Sequence, residues 1–307
     1  MTSLAKPLVM KAVTETPSAR AWLESASAPC VMHVFDRAVN LYDDEAGVLS
    51  LVGHLLGAEP FAIVIQPARR VDSRPRFADW LDADSPVKIE PGKLSAGRIH
   101  VLLNGAQLWD PLLPWDDLRA KRERILAWKE TLTGLLGSSA PAGGLAGLAV
   151  DDDRGRQAPG VVAQAIVDRA RGPALGLVDS LAQGDNDAAI IAARQLAGLG
   201  GGLTPSGDDF IVGAMYALRL VGDWAWADQT GRVLAEAAGP KTVRISQAWL
   251  DAAARGEASM TWHRMCQAVM GDDEARVEAA ARDLLAVGHT SGADALTGFL
   301  LVVRAFS

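Results

Sequence analysis

The stretch Gly198-Leu-Gly-Gly-Gly-Leu-Thr-Pro-Ser-Gly-Asp-Asp-Phe-Ile-Val-Gly213 decides how the C-terminal half of the chain is read. Gly198, Gly200, Gly201 and Gly202 follow one another closely. Ordering such a run costs backbone entropy, so it does not belong inside a helix or strand. Pro205 fixes its own φ and turns Thr204 away from the α region, which predicts a helix starting just after it. Ser206, with Asp209 three residues on, reads as a capping box, and Phe210, Ile211, Ala214, Met215 and Leu218 continue as an apolar helix. A glycine loop that runs into a helix N-terminus offers free N–H groups and a positive dipole end to an anion.

A shorter copy stands near the C-terminus, His289-Thr-Ser-Gly-Ala-Asp-Ala-Leu-Thr-Gly298. Setting Ser206 on Ser291 matches Gly207 to Gly292, Asp209 to Asp294 and Gly213 to Gly298, four identities in eight positions. The recurring Ser and Asp are explained as caps worth ~1 kcal/mol each. Asp208 does not recur, because Ala293 takes its place, so Asp208 is the first carboxylate to suspect of chemistry. Gly213 and Gly298 fall on the same helical face as the aspartates four residues earlier. Glycine there permits close contact, so the two helices are expected to pack together with both N-termini opening into one pocket.

Outward from these motifs the chain divides in character. From Val161 onward the pattern is helical and alanine-rich, with helices expected near 161–170, 174–183, 186–197, 206–221, 224–238, 245–255, 258–270, 273–287 and 291–305. Ahead of it, Gly137–Gly160 is rich in Gly, Ala, Ser and Pro and reads as a linker or mobile loop. Its Asp151-Asp-Asp153 run is read as solvated charge in preference to a metal site. A helix is expected over 118–136, its basic stretch Arg119–Arg124 forming a solvated face. Residues 1–28 read as an extended start and a helix around Pro17–Ser25. β-branched runs at 30–35, 38–42, 47–52, 61–65, 86–90 and 97–103 then suggest a small barrel or sandwich. The fold class is therefore α+β: a β-rich N-terminal domain over 1–115, a connecting helix and linker over 116–160, and a helical bundle over 161–307.

Bulk composition narrows the function. A chain of 307 residues, 49% hydrophobic and 22% charged, has room for two proper cores. A net charge of −7 argues against nucleic acid or an acidic membrane surface as the main partner. Cys30 and Cys266 are too few for a disulfide framework or zinc site, no signal peptide is evident, and no apolar run approaches membrane-spanning length. A cytoplasmic location is the expectation.

The glycine loop lacks the Lys-Ser/Thr of a P-loop and no strand precedes it, so neither an NTPase nor a Rossmann site is indicated, and no nucleotide or organic cofactor is expected. The candidate substrate- and anion-binding residues are Gly201, Gly202, Thr204, Ser206, Gly207, Arg244, Ser246, Thr290 and Ser291. Arg244, in Lys241-Thr-Val-Arg-Ile-Ser246, can grip a carboxylate or phosphate bidentately, and a surface ion pair explains it equally well. Asp208, Asp209 and His289 are the candidate catalytic residues. His289 could exchange protons or simply be bonded locally at a helix start. Two carboxylates beside an anion call for an intervening cation, so Asp208 is also a candidate ligand for Mg²⁺ or Mn²⁺. His33, His54, His100 and His263 have no ligand spacing and read as structural.

Three segments together, 201–210, 242–246 and 288–298, resemble the AllH-type family in order and spacing. The resemblance implies an accessory or catalytic subunit of oxamate carbamoyltransferase working with FdrA-like and AllG-like partners. That enzyme cleaves oxalurate with phosphate to oxamate and carbamoyl phosphate during anaerobic allantoin breakdown. Gly201 stands where the family commonly has proline, and Val243 where a second threonine is frequent. On this reading the pocket at 203–209 accepts a ureido acid or phosphate. Backbone N–H groups of Gly207 and Asp208, with Arg244, would then stabilise charge developing on the attacked carbonyl. Two other readings stay open: a non-catalytic scaffold whose glycine loop is only a tight helix junction, and a stand-alone hydrolase of a small amide or ureido compound.

Overall fold

The computed structural model describes residues 7–69, 75–150 and 160–307; the Asp151–Asp153 run lies outside them. The chain separates into two compact units, Met1–Pro111 and Leu112–Ser307.

The first unit is a nearly closed barrel made from one mixed sheet. Its strands are β1 (Leu8–Glu15), β2 (Cys30–Val34), β3 (Ala38–Asp43), β4 (Gly47–Gly53), β5 (Ala62–Pro67), β6 (Val87–Glu90), β7 (Lys93–Ala96), β8 (Ile99–Leu102) and β9 (Gln107–Leu108). They run in the order β2-β3-β4-β5-β1-β8-β7-β6, and β9 pairs with β1. β1, expected only as an extended start, is the hub: it is antiparallel to β5 and parallel to β8 and β9. Its alternation buries Leu8, Met10 and Ala12 against Leu41, Leu51, Ile65 and Val101. One helix, α1 (Pro17–Ser25), starts on a Thr16 cap and buries Trp22, whose indole N–H donates to Gly47 O at 2.9 Å.

The second unit is helical. It opens with α2 (Trp115–Ala120), α3 (Arg122–Ala127) and α4 (Lys129–Ser139), three short helices where one was expected. The bends fall at Lys121 and Trp128, and Leu118, Ile125, Leu132 and Leu136 all still reach one core. The Gly/Ala-rich segment that follows is not a free linker up to residue 150. Leu145–Leu148 forms a 3₁₀ turn, and Leu145, Ala146 and Ala149 belong to the same core.

Then come α5 (Val161–Gln183), α6 (Asn186–Leu196), α7 (Ser206–Val221), α8 (Trp224–Ala238), α9 (Arg244–Ala254), α10 (Met260–Gly271), α11 (Glu274–Leu285) and α12 (Ser291–Ala305). α5 runs through Pro173, where a break was expected, because Ala170, Ala174 and Leu177 are fully buried on its inner face. No helix among the described residues is long and apolar enough to cross a membrane.

α7 is the centre of this unit; every residue from Ser206 to Leu220 is buried. Its main partner is α12. A Cβ on Gly213 would stand 1.7 Å from Ala295 O, and one on Gly298 would stand 2.1 Å from Phe210 O. These contacts are reciprocal under the same alignment that sets Ser206 on Ser291. The two helices therefore cross backbone to backbone about a local pseudo-two-fold, at a place only glycine allows.

Candidate functional site

The crossing brings the two helix starts together. Thr204, just ahead of α7, and Ser291, first in α12, share a hydrogen bond of 2.8 Å between their hydroxyls. Neither serine caps its own helix. Ser206 and Ser291 are each the first helical residue, preceded by Pro205 and Thr290, and neither helix has a side-chain cap. The two capping boxes of the sequence are replaced by an exchange between helices. The Ser291 and Thr204 hydroxyls face the Asp209 carboxylate, and the Ser206 and Thr290 hydroxyls face that of Asp294.

Asp294 is further bonded by the backbone N–H of Leu145, donating to its Oδ1. A Cβ on Gly144 would fall 2.4 Å from that same oxygen, so a glycine is required beside it. The sequence offered little sign of this contact, because Gly144 and Leu145 sit in the segment read as linker.

Burial holds Asp209 well above the usual carboxylate range, and the nearby charge of Asp294 adds to the shift. Burial likewise pushes Asp294 up to about 6, against the Leu145 N–H and its two hydroxyls. The Oδ2 atoms of both carboxylates are buried without a hydrogen-bond partner.

Asp208 has a different task. Its Oδ1 accepts from Gly198 N–H at 2.9 Å and its Oδ2 accepts from the Thr242 hydroxyl. Ser246 lies near the same carboxylate, its buried hydroxyl closing no hydrogen bond. Burial raises the Asp208 pKa while these donors oppose the shift. Asp208 thus ties the glycine loop to the segment that begins α9. Both of its oxygens are engaged in that tie.

The main-chain donors expected to meet an anion are largely used. Gly207 N–H donates to Leu199 O at 2.9 Å, and the N–H groups of Asp208 and Asp209 both go to Pro205 O. Gly207 is also pressed on Leu196 O, 2.1 Å from where a Cβ would be. The first turn of α7 thus spends these amides inside the protein, and the open backbone beside it is that of the loop. There Gly198, Gly200 and Gly202 adopt left-handed φ of 74°, 126° and 92°, which other residues rarely tolerate.

Around this loop the surface is open. Gly201, Gly202, Leu203, Lys241, Arg244 and His289 are exposed, and Thr204, Thr290 and Ser291 are half-buried. Ser206, Asp208, Asp209, Ser246 and Asp294 lie beneath. The site is thus a cationic and hydroxyl-bearing rim on a buried carboxylate floor. This unit has two other features. A gap of about 30 Å³ among Trp115, Leu118, Tyr216, Trp262, Met265 and Phe299 is wholly apolar and offers nothing to an anion. Within the basic run, Arg119 donates to Arg219 O and stacks on Trp224.

Fold and site together define a class: a two-unit α+β protein with a glycine-rich loop over the crossing of two helix starts. The model of the AllH family, described as oxamate carbamoyltransferase subunit AllH, matches residues 196–303, which contain all three motif segments. That name implies a subunit of oxamate carbamoyltransferase and so a multi-subunit complex. The comparisons with curated proteins and with solved structures give no match.

Proposed function

We propose that the chain is a subunit of an oxamate carbamoyltransferase that cleaves oxalurate with phosphate, assembled with FdrA-like and AllG-like partners. One observation carries the reading. Loops 198–205, 241–246 and 287–291, in which the three family motifs begin, meet at one exposed rim tied together by Asp208–Thr242 and Thr204–Ser291.

In the reaction a phosphate oxygen attacks the carbamoyl carbon, the bond from that carbon to the oxamate nitrogen breaks, and a proton passes from phosphate to the leaving nitrogen. Both substrates are anions. Arg244 suits a bidentate grip on carboxylate or phosphate. His289 and the Thr290 hydroxyl extend the same rim, and the exposed Gly201–Leu203 backbone allows close approach of a substrate. Asp208 and Thr242 position the loop. No nucleotide or organic cofactor enters the scheme.

A second reading, a non-catalytic scaffold, is favoured by the engaged amides of Gly207, Asp208 and Asp209. The two are separated by reconstituting the complex with Arg244→Ala or His289→Ala and assaying oxalurate phosphorolysis. Lost turnover with intact assembly supports the catalytic rim. Full turnover in both variants supports the scaffold, and turnover by the chain alone, without phosphate, points to a hydrolase.

A further inference from the structure

Asp209 and Asp294 occupy equivalent places in α7 and α12, and neither is satisfied. Asp294 is 0% exposed and Asp209 9%, and each keeps one carboxylate oxygen without a partner. A buried carboxylate with an open oxygen is costly when ionised, and two neighbouring ones are costlier still. The compensation on hand can be counted. Each helix start supplies roughly half an elementary positive charge, so α7 and α12 together offset about one negative charge and not two. The hydroxyls of Ser206, Ser291, Thr204 and Thr290 and the Leu145 N–H are neutral donors. Of the charged groups facing the pair, Asp208 on α7 opposes ionisation of Asp209, and His289 ahead of α12 favours that of Asp294. On the α9 side Lys241 and Arg244 are exposed, and Thr242 between them is spent on Asp208.

We propose that Asp209 and Asp294 are a coupled pair that holds one proton and carries one negative charge between them. A single proton on the pair removes one of the two buried charges. The remaining charge matches what the two helix starts supply. The crossing sets the two carboxyls at matching positions of α7 and α12, and the Leu145 N–H on Asp294 favours the charge on that member of the pair. Burial, which raises both carboxyls, acts in the same direction. The inference concerns the floor of the site and holds whether or not the rim above it is catalytic.

The test is an infrared titration of the full chain carrying ¹³C-labelled aspartate, so that Glu59, itself pushed up to about 7 by burial, does not contribute. The expected result is a protonated aspartate carboxyl band that persists at neutral pH. Asp294→Asn should move the titration of the remaining Asp209 to lower pH, and Asp209→Asn should do the same for Asp294. Absence of the band from the unaltered chain at neutral pH overturns the proposal, and that reading needs no variant. So does a titration left in place by either substitution, which would assign the proton to one aspartate alone.

Discussion

The two helix starts at the site are built alike and finished differently. In both, a glycine is pressed against the end of the preceding helix, Gly207 on Leu196 O and Gly292 on Leu284 O. Both carry an aspartate that faces the first serine of the other helix and a threonine ahead of its own, and both carry a glycine at the crossing. The connections differ: 197–205 leads into α7, and the shorter 286–290 leads into α12. Only the longer one has a carboxylate tying it to α9, since Ala293 stands where Asp208 would be. What recurs builds the crossing. What does not recur builds the exposed loop.

If the recurring parts are architectural, their loss should be felt most. Gly213→Ala and Gly298→Ala each force a methyl into a backbone carbonyl, and each is expected to destabilise the protein by more than about 3 kcal/mol in urea unfolding. Gly201→Ala meets no atom within 4 Å and should leave the urea midpoint in place. A Gly213→Ala variant as stable as the parent would break the comparison.

The carboxylate floor gives the next effect, and its sign follows from the raised pKa. Asp294 in the folded protein binds its proton more tightly than in the unfolded chain. Stability is therefore fully present below the ordinary value of 3.8 and falls as pH rises towards about 6. The loss from this group is on the order of 2–3 kcal/mol. Asp294→Asn should remove that slope from the variant's pH–stability curve, so that the difference between the two curves carries it; an unchanged slope contradicts the assignment.

Asp208→Ala should act on one half of the comparison only. It leaves the Gly198 N–H and the Thr242 hydroxyl without an acceptor, costing about 1–3 kcal/mol. Amide exchange at Gly198 should quicken while Gly292 N–H, bonded to Val287 O, keeps its protection. Smallest is Thr204→Val, which removes the hydroxyl contact with Ser291 for about 1 kcal/mol, read as a slight fall in unfolding midpoint.

The helical unit was legible where local signals agreed with packing. Pro205 and the apolar run behind it mark the start of α7, and alanine-rich periodicity marks α6 and α8 through α12. It was less so where tertiary contacts override local rules. Gly172-Pro173 reads as a break, yet α5 continues because its buried face holds it. β1 alternates from Leu8 to Ala12, but nothing local says that three strands will pair with it, and the four residues of β7 are too few for a pattern. The capping boxes show the limit most clearly. Ser followed three residues later by Asp has a local meaning, and the glycines at 213 and 298 announce a close crossing. Only their combination implies that each serine will face the other helix's aspartate.

That exchange is the central claim, and a pair of double-mutant cycles tests it directly. Ser291→Ala with Asp209→Asn, across the helices, should show a coupling of about 0.5–3 kcal/mol in unfolding free energy. Ser206→Ala with Asp209→Asn, within α7, should be close to additive. Coupling confined to the pair inside α7, with none between Ser291 and Asp209, would contradict the account.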